Sequence, residues 1–181
     1  MLEIVSWPHQ ALETKAEVVR EFDDALKCLS EEMHTTMDVA GGIGLAANQV
    51  NILKRVITIF IPLSQEDTPK KPWHDQAHSQ LRPWHNKRYT FINPKMVKYS
   101  GKVTYLEGCL SFPGMMDNVD RHAEITVEYQ DIHGHVQSLS CDGLMAICLQ
   151  HEIDHINGVV FIERMDERVG RSIRERMLAR A

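Results

Sequence analysis

No stretch of this sequence is apolar enough, for long enough, to cross a bilayer. The longest strongly apolar run, VITIFI at residues 56–61, is far short of the roughly 20 residues a spanning helix needs. The N-terminus, MLEIVSWPHQ, has no charged segment leading into an apolar one, so it does not read as a secretory signal. No membrane partner and a cytoplasmic location are therefore expected. Cysteine is scarce: Cys28, Cys109, Cys141 and Cys148 are the only four in 181 residues, and no two form a CxxC pair. A disulfide framework is not expected, which turns attention to thiol chemistry and metal binding. Excess positive charge is missing too, since 20 Lys and Arg against 25 Asp and Glu give a formal charge of −5. That argues against a chain whose whole surface grips nucleic acid and leaves room only for a local basic patch. There is no internal repeat and no low-complexity run.

What is present has the size and mixture of one globular domain over residues 1–181, with 43% hydrophobic and 25% charged residues. Leu26, Leu29, Met33 and Met37 recur at helical spacing and predict a helix over residues 23–39, ended by Gly41 and Gly42. Residues 54–61 and 89–93 read as strands. Between them, residues 62–88 hold four of the seven prolines, two of the three tryptophans (Trp73 and Trp84) and three histidines without periodicity. This predicts a surface insertion, with His74 and His78 as solvated loop residues. From Lys95 onward short strands are expected, including a hairpin in which Ile125, Val127 and Tyr129 alternate with polar neighbours before a turn at His133 and Gly134. Asp142 is placed to cap a helix running to Ile156, with Asn157 and Gly158 as its stop signal. A short strand over 159–162 and a C-terminal helix over 166–181 complete the prediction.

The chemistry centres on His151-Glu152-Ile153-Asp154-His155, an HExxH pattern inside the helix capped by Asp142. At 100° per residue, an offset of four brings the second imidazole back to within about 40° of the first, so both can hold one cation. Glu152 lies beside the pair, where its carboxylate can take a proton from water without being a ligand. A catalytic site of this kind needs a third protein ligand and an open position. Phe161 stands where a metzincin protease would have its third histidine, so that assignment fails. Glu163, Glu167 and Glu175 lie near or inside a charged C-terminal helix, where a solvated face is the simpler account. Cys109, in Glu107-Gly108-Cys109-Leu110-Ser111, is another candidate, although a lone cysteine is more often a small buried hydrophobe. Leu144, Ile147 and Cys148 share the histidine face and would border a metal with apolar surface.

Three segments in this order, GIGLAANQ (residues 42–49), EGCLS (107–111) and QHEIDH (150–155), resemble the signature motifs of peptide deformylases, and the similarity of layout reaches at least Met165. The resemblance implies an α+β fold in which the HExxH helix is surrounded by antiparallel sheets, with N-terminal and C-terminal helices. It implies a hydrolase that removes formate from the N-formylmethionine of nascent polypeptides. By the same resemblance Cys109, His151 and His155 hold one divalent metal, Fe2+ as the native ion, with Zn2+, Ni2+ or Co2+ as substitutes; a thiolate and two imidazoles suit these ions. Water activated at the metal attacks the formyl carbon while Glu152 acts as general base and then acid. Gln49 and the backbone N–H of Leu110 stabilise the developing oxyanion. Backbone groups of Ile43, Gly44 and Gly108 hold the peptide extended, and Leu144, Ile147 and Cys148 line the pocket for its first side chain. The expected partners are N-formylmethionyl nascent peptides and the ribosome, reached through the C-terminal helix, and the expected state is a monomer. Two positions depart from the family pattern: Asn48 stands where threonine is frequent, and Met116 where many members have arginine.

Overall fold

The computed structural model describes residues 1–62 and 82–179. Asp23 accepts a hydrogen bond from the Leu26 N–H at 2.9 Å and starts α1 (Asp24–Val39), which buries Leu26, Leu29, Met33 and Met37. The helix stops where glycine permits it. Gly41 takes φ +69°, and the Gly42 N–H reaches back to the Met37 carbonyl in the wide loop typical of a glycine C-cap.

Five strands form an antiparallel sheet in the spatial order β1 (Gly44–Ala46), β2 (Val56–Phe60), β3 (Arg88–Ser100), β6 (Glu124–Gln130), β7 (Val136–Asp142). A separate antiparallel pair is made by β4 (Val103–Gly108) and β5 (Met116–Arg121). The predicted hairpin is β6–β7, with Ile125 opposite Cys141 and Val127 opposite Leu139. The helix α2 (Gly143–Ile156) follows β7 directly and is buried at every position from Met145 to Ile156. Met145, Leu149, Ile153 and Ile156 pack onto Ile57, Ile59, Phe91 and Val127 of the large sheet. Each such side chain contributes about 1.5–3 kcal/mol on burial, so the sheet face fixes the rotation of α2. A second cluster joins Trp7, Phe112, Val119 and Phe161 to Ile173 and Met177 of α3 (Glu167–Leu178), and a third seats α1 on Leu45, Val56 and Ile92.

The structure corrects the predicted elements in three places. Residues 89–93 and the strand from Lys95 are one thirteen-residue strand, β3, because Asn93 at φ +52° forms a bulge that carries the chain past Pro94. The Asn93 side chain holds that kink by bonding both backbone groups of Val19 at 2.8 Å. Residues 159–162 are not a strand. The chain makes a 3₁₀ turn at Phe161–Arg164, driven by Phe161 seating on Phe112, ring centroids 5.3 Å apart. Asp142 occupies the N-cap of α2, yet its side chain makes no capping bond and pairs with Arg82 at 2.9 Å instead. Of the expected insertion over 62–88, the described residues include Trp84, 7% exposed within the main core, and Arg88, which opens β3. Residues 63–81, with Trp73, His74 and His78, and residues 180–181 lie outside the described residues.

Candidate active site

Helix α2 delivers His151 and His155 one turn apart, their ring centroids 4.9 Å from each other. Cys109 arrives from elsewhere in the chain. It follows the end of β4, in a turn where the Phe112 N–H donates to the Cys109 carbonyl, and this brings its Sγ to 3.2 Å from His155 Nε2. The three ligand atoms lie within 4.8 Å of one another, the spacing one cation can span at metal–sulfur and metal–nitrogen bonds of about 2.0–2.3 Å. His155 is fully buried, and burial, with the charges of His151 and Arg121, pushes its pKa well down and keeps it neutral, as a ligand must be. Burial opposes charge on His151 also, but hydrogen bonds to the Cys109 sulfur and to Glu107 outweigh it and raise its pKa. The anions that favour a proton there also favour a cation.

Glu152 is 4% exposed, and its Oε2 has no hydrogen-bond partner among the described residues. Burial pushes its pKa up to about 7, with Glu107 and Asp154 adding repulsion and His151 and Arg121 opposing it. A cation beside it would bring that value down again. Gln49 is buried with its amide oriented by three neighbours: Oε1 accepts from the Ala46 N–H at 2.9 Å, and Nε2 donates to Ser111 Oγ at 3.3 Å and faces Cys109 Sγ at 3.6 Å. Residues 42–44, 108–110, 144, 147 and 148 line one cleft of about 540 Å³ together with Gln49, His151 and Glu152. Every site residue named from the sequence therefore borders this cleft or the ligand cluster. A larger cavity of about 920 Å³ by Trp84 and Ser140 has no such cluster among the described residues, so donor chemistry and not size picks the site.

Close packing explains why glycine stands at position 44. A Cβ there would lie 2.6 Å from both Cys148 Sγ and Glu152 Oε1, so the bare backbone of β1 is what lets α2 approach. Burial, then Glu152 and Glu107, raise the Cys148 thiol pKa well above its ordinary value, leaving it a neutral wall of the cleft. Asn48, one of the two departures from the family pattern, donates to the carbonyls of Ala11 and Thr14 and ties the N-terminal segment to the 3₁₀ turn Ala47–Val50. Met116, the other, lies over Gly108 and is 59% exposed.

One part of the site was missed in the sequence. His151 Nδ1 bonds Glu107 Oε2 at 2.8 Å, and Arg121 grips Glu107 from the other side with Nε at 2.7 Å and Nη2 at 2.9 Å. Glu107 is buried, which raises its pKa, but the Arg121 and His151 contacts overcome that and bring it down to about 2. The signal was available in part, because Glu107 and Asp154 both sit inside the motifs EGCLS and QHEIDH. Their partner Arg121 sits in no motif.

Against known proteins, a sequence model of the family described as polypeptide deformylase matches residues 1–170. The chain belongs to the polypeptide deformylase family. It is 39% identical over 180 residues to the peptide deformylase of Chromobacterium violaceum, covering 99% of this chain and 96% of that one. It is 42% identical over 172 residues to that of Erythrobacter litoralis, covering 90% and 88%. The crystal structure of the Ehrlichia chaffeensis peptide deformylase in complex with actinonin superposes at a TM-score of 0.85, with 34% identity over 99% of this chain and 96% of that one. The α+β architecture is thus that of the family.

Proposed function

We propose that this member of the family hydrolyses the N-formyl amide of N-formylmethionyl peptides, releasing formate, with Glu152 as the proton carrier. The carrying observation is one buried carboxylate with an oxygen free of partners among the described residues, set beside a Cys/His/His cluster within a family of deformylases. The donor set fits one divalent ion of borderline softness: Cys109, His151 and His155 would hold Fe2+ in the native protein, with Zn2+, Ni2+ or Co2+ as substitutes. Such an ion, when bound, lowers the pKa of a water and polarises a carbonyl oxygen. Glu152 accepts the proton that the attacking water gives up and passes it to the departing amine nitrogen, so the same carboxylate serves as base and then acid. The Gln49 amide and the Leu110 N–H donate to the oxygen on which negative charge develops.

Strand edges support an extended pose for the peptide. Among the described residues β1 is the outermost strand of the large sheet and β4 is half of a two-stranded pair, so Gly44 and Gly108 bring two strand edges to the same cleft. The Ile43 carbonyl accepts from the Phe60 N–H at 2.9 Å and so faces β2, which leaves the Gly44 backbone as the group turned to the open edge of β1. Leu144, Ile147 and Cys148 form the apolar wall that suits a methionine side chain. A short formylated peptide should release formate, whereas its unformylated twin should stay intact. Cleavage inside both would assign the site to a protease. Actinonin should raise the thermal midpoint of the metal-loaded protein, as expected for a ligand of the same cleft.

We further propose a cytoplasmic monomer that acts on nascent peptides at the ribosome. Helix α3 supports that last contact: Gly170, Ile173 and Met177 are buried while Arg168, Arg171, Arg174 and Arg176 are exposed. Arg171 and Arg174 already pair with Glu167 and Glu163, which softens the basic field. Changing Arg168, Arg171 and Arg176 to Glu should weaken ribosome co-sedimentation and spare hydrolysis of a free formyl peptide. Unchanged co-sedimentation at low salt would leave α3 as packing alone.

A further inference from the structure

A continuous chain of charged side chains runs from the ligand cluster to the surface on the far side of α2. Beyond Glu107, Arg121 Nη1 donates to Asp154 Oδ2 at 2.6 Å, and Asp154 in turn accepts from Arg164 through Nη2 at 2.6 Å and Nε at 3.0 Å. The side chains of His151, Glu107, Arg121 and Asp154 are each at most 9% exposed, whereas that of Arg164 is 48% exposed. Two acids alternate with two arginines, so the chain is neutral only while Arg164 is in place. Its outer end opens into a cavity of about 330 Å³ bordered by Lys102, Asp120, His122 and Gln150.

Arg164 reaches Asp154 because it ends the 3₁₀ turn Phe161–Arg164. The same turn touches His151 directly, with the Phe161 ring 5.8 Å from the imidazole. His151 is thus steadied twice by one short segment, by ring packing and through the charged chain. His155 differs, since its Nδ1 has no hydrogen-bond partner among the described residues.

We propose that Arg164 is a positioning residue for His151, acting through Asp154, Arg121 and Glu107; the proposal rests on the reading of His151 as a metal ligand. Arg164 supplies Asp154 with two donors, which leaves Arg121 free to give Glu107 its paired grip. Without Arg164, the charge of Asp154 draws Arg121 toward itself, Glu107 loosens, and the ring it orients loosens with it. Partners that orient a ligating histidine typically matter by 10–100-fold in metal affinity.

The test uses the full chain loaded with Co2+, following both its release to a chelator and its visible absorption bands. Arg164→Gln should release cobalt about 10-fold faster and shift the bands, Arg164→Lys should lie between it and the wild type, and Arg171→Gln, which breaks an exposed pair, should change neither. Glu107→Gln should release cobalt faster still, and adding Arg164→Gln to it should change nothing more, because the path is already cut. Unchanged release in Arg164→Gln, or an equal Arg164 effect with and without Glu107, would overturn the proposal. A wild-type chain that holds no cobalt would overturn the ligand reading itself, a separate result.

Discussion

On the side of α2 that faces β5, Asp154 receives hydrogen bonds from two arginines, and Gln150 bonds both backbone groups of His122. On the cleft side, Glu152 is as deeply buried as Asp154 and has an oxygen with no partner among the described residues. A buried polar atom left without a partner costs about 1–3 kcal/mol or more, so the two sides of one helix are built on opposite terms. The satisfied side holds α2 against β4 and β5. The unsatisfied side keeps a carboxylate and two imidazoles ready for a cation, a water and a substrate, and its cost is carried by the packing around it.

The largest effect should come from the unsatisfied side. Glu152→Ala is expected to lower turnover by about 10³-fold or more while metal content stays near that of the wild type, whereas Cys109→Ala should lose the metal; formate release with metal analysis on the same samples checks both. Equal metal loss in the two variants would erase the distinction between proton carrier and ligand. On the satisfied side, Arg121→Ala leaves Glu107 and Asp154 buried with less compensation. It should cost about 3–5 kcal/mol of folding stability, read by denaturant unfolding of the metal-free chain.

Between these lies Gly44→Ala, which puts a methyl group where Glu152 Oε1 and Cys148 Sγ now sit. A displaced carboxylate should cost about 10²-fold in turnover, with metal retained and only a modest drop in the thermal midpoint. Wild-type kinetics would show that β1 can retreat from α2. Ile147→Phe should be gentler, cutting kcat/KM for formylmethionyl peptides about 10-fold more than for peptides with a shorter first residue. Uniform loss across first residues would point to disturbed packing of α2 instead.

The smallest effect concerns a buried imidazole remote from the cleft. His34 in α1 has an Nδ1 with no partner among the described residues, and burial, helped by the nearby Arg88 charge, lowers its pKa to about 4. The unfolded chain binds a proton at His34 below the ordinary value of 6.5 and the folded chain does not, so stability should fall as pH drops from 6.5 to about 4 and level off below. A His34→Gln variant should show a shallower decline in thermal midpoint over that window. An identical decline would mean that other groups set the acid limit.

The sequence by itself determined whatever depends on a few neighbouring residues. The pitch of a helix puts positions 151 and 155 on one face, Asp23 and Gly41 bound α1, and alternation over residues 125–129 marks a strand. Those features follow from backbone geometry, which is the same in every chain. The Cys109 to His155 contact spans 46 positions, and only the family resemblance carried it ahead of the structure. Tertiary structure alone decided which way the remaining polar side chains point. Arg121 lies in none of the three motifs, yet β5 turns it inward onto Glu107. Residues 159–162 are apolar enough for a strand, yet the pocket of Phe112 winds them into the turn that delivers Arg164 to Asp154. Both outcomes depend on which surfaces face each other after packing, and burial and charge pairing act between groups far apart in the chain, where no local spacing records them.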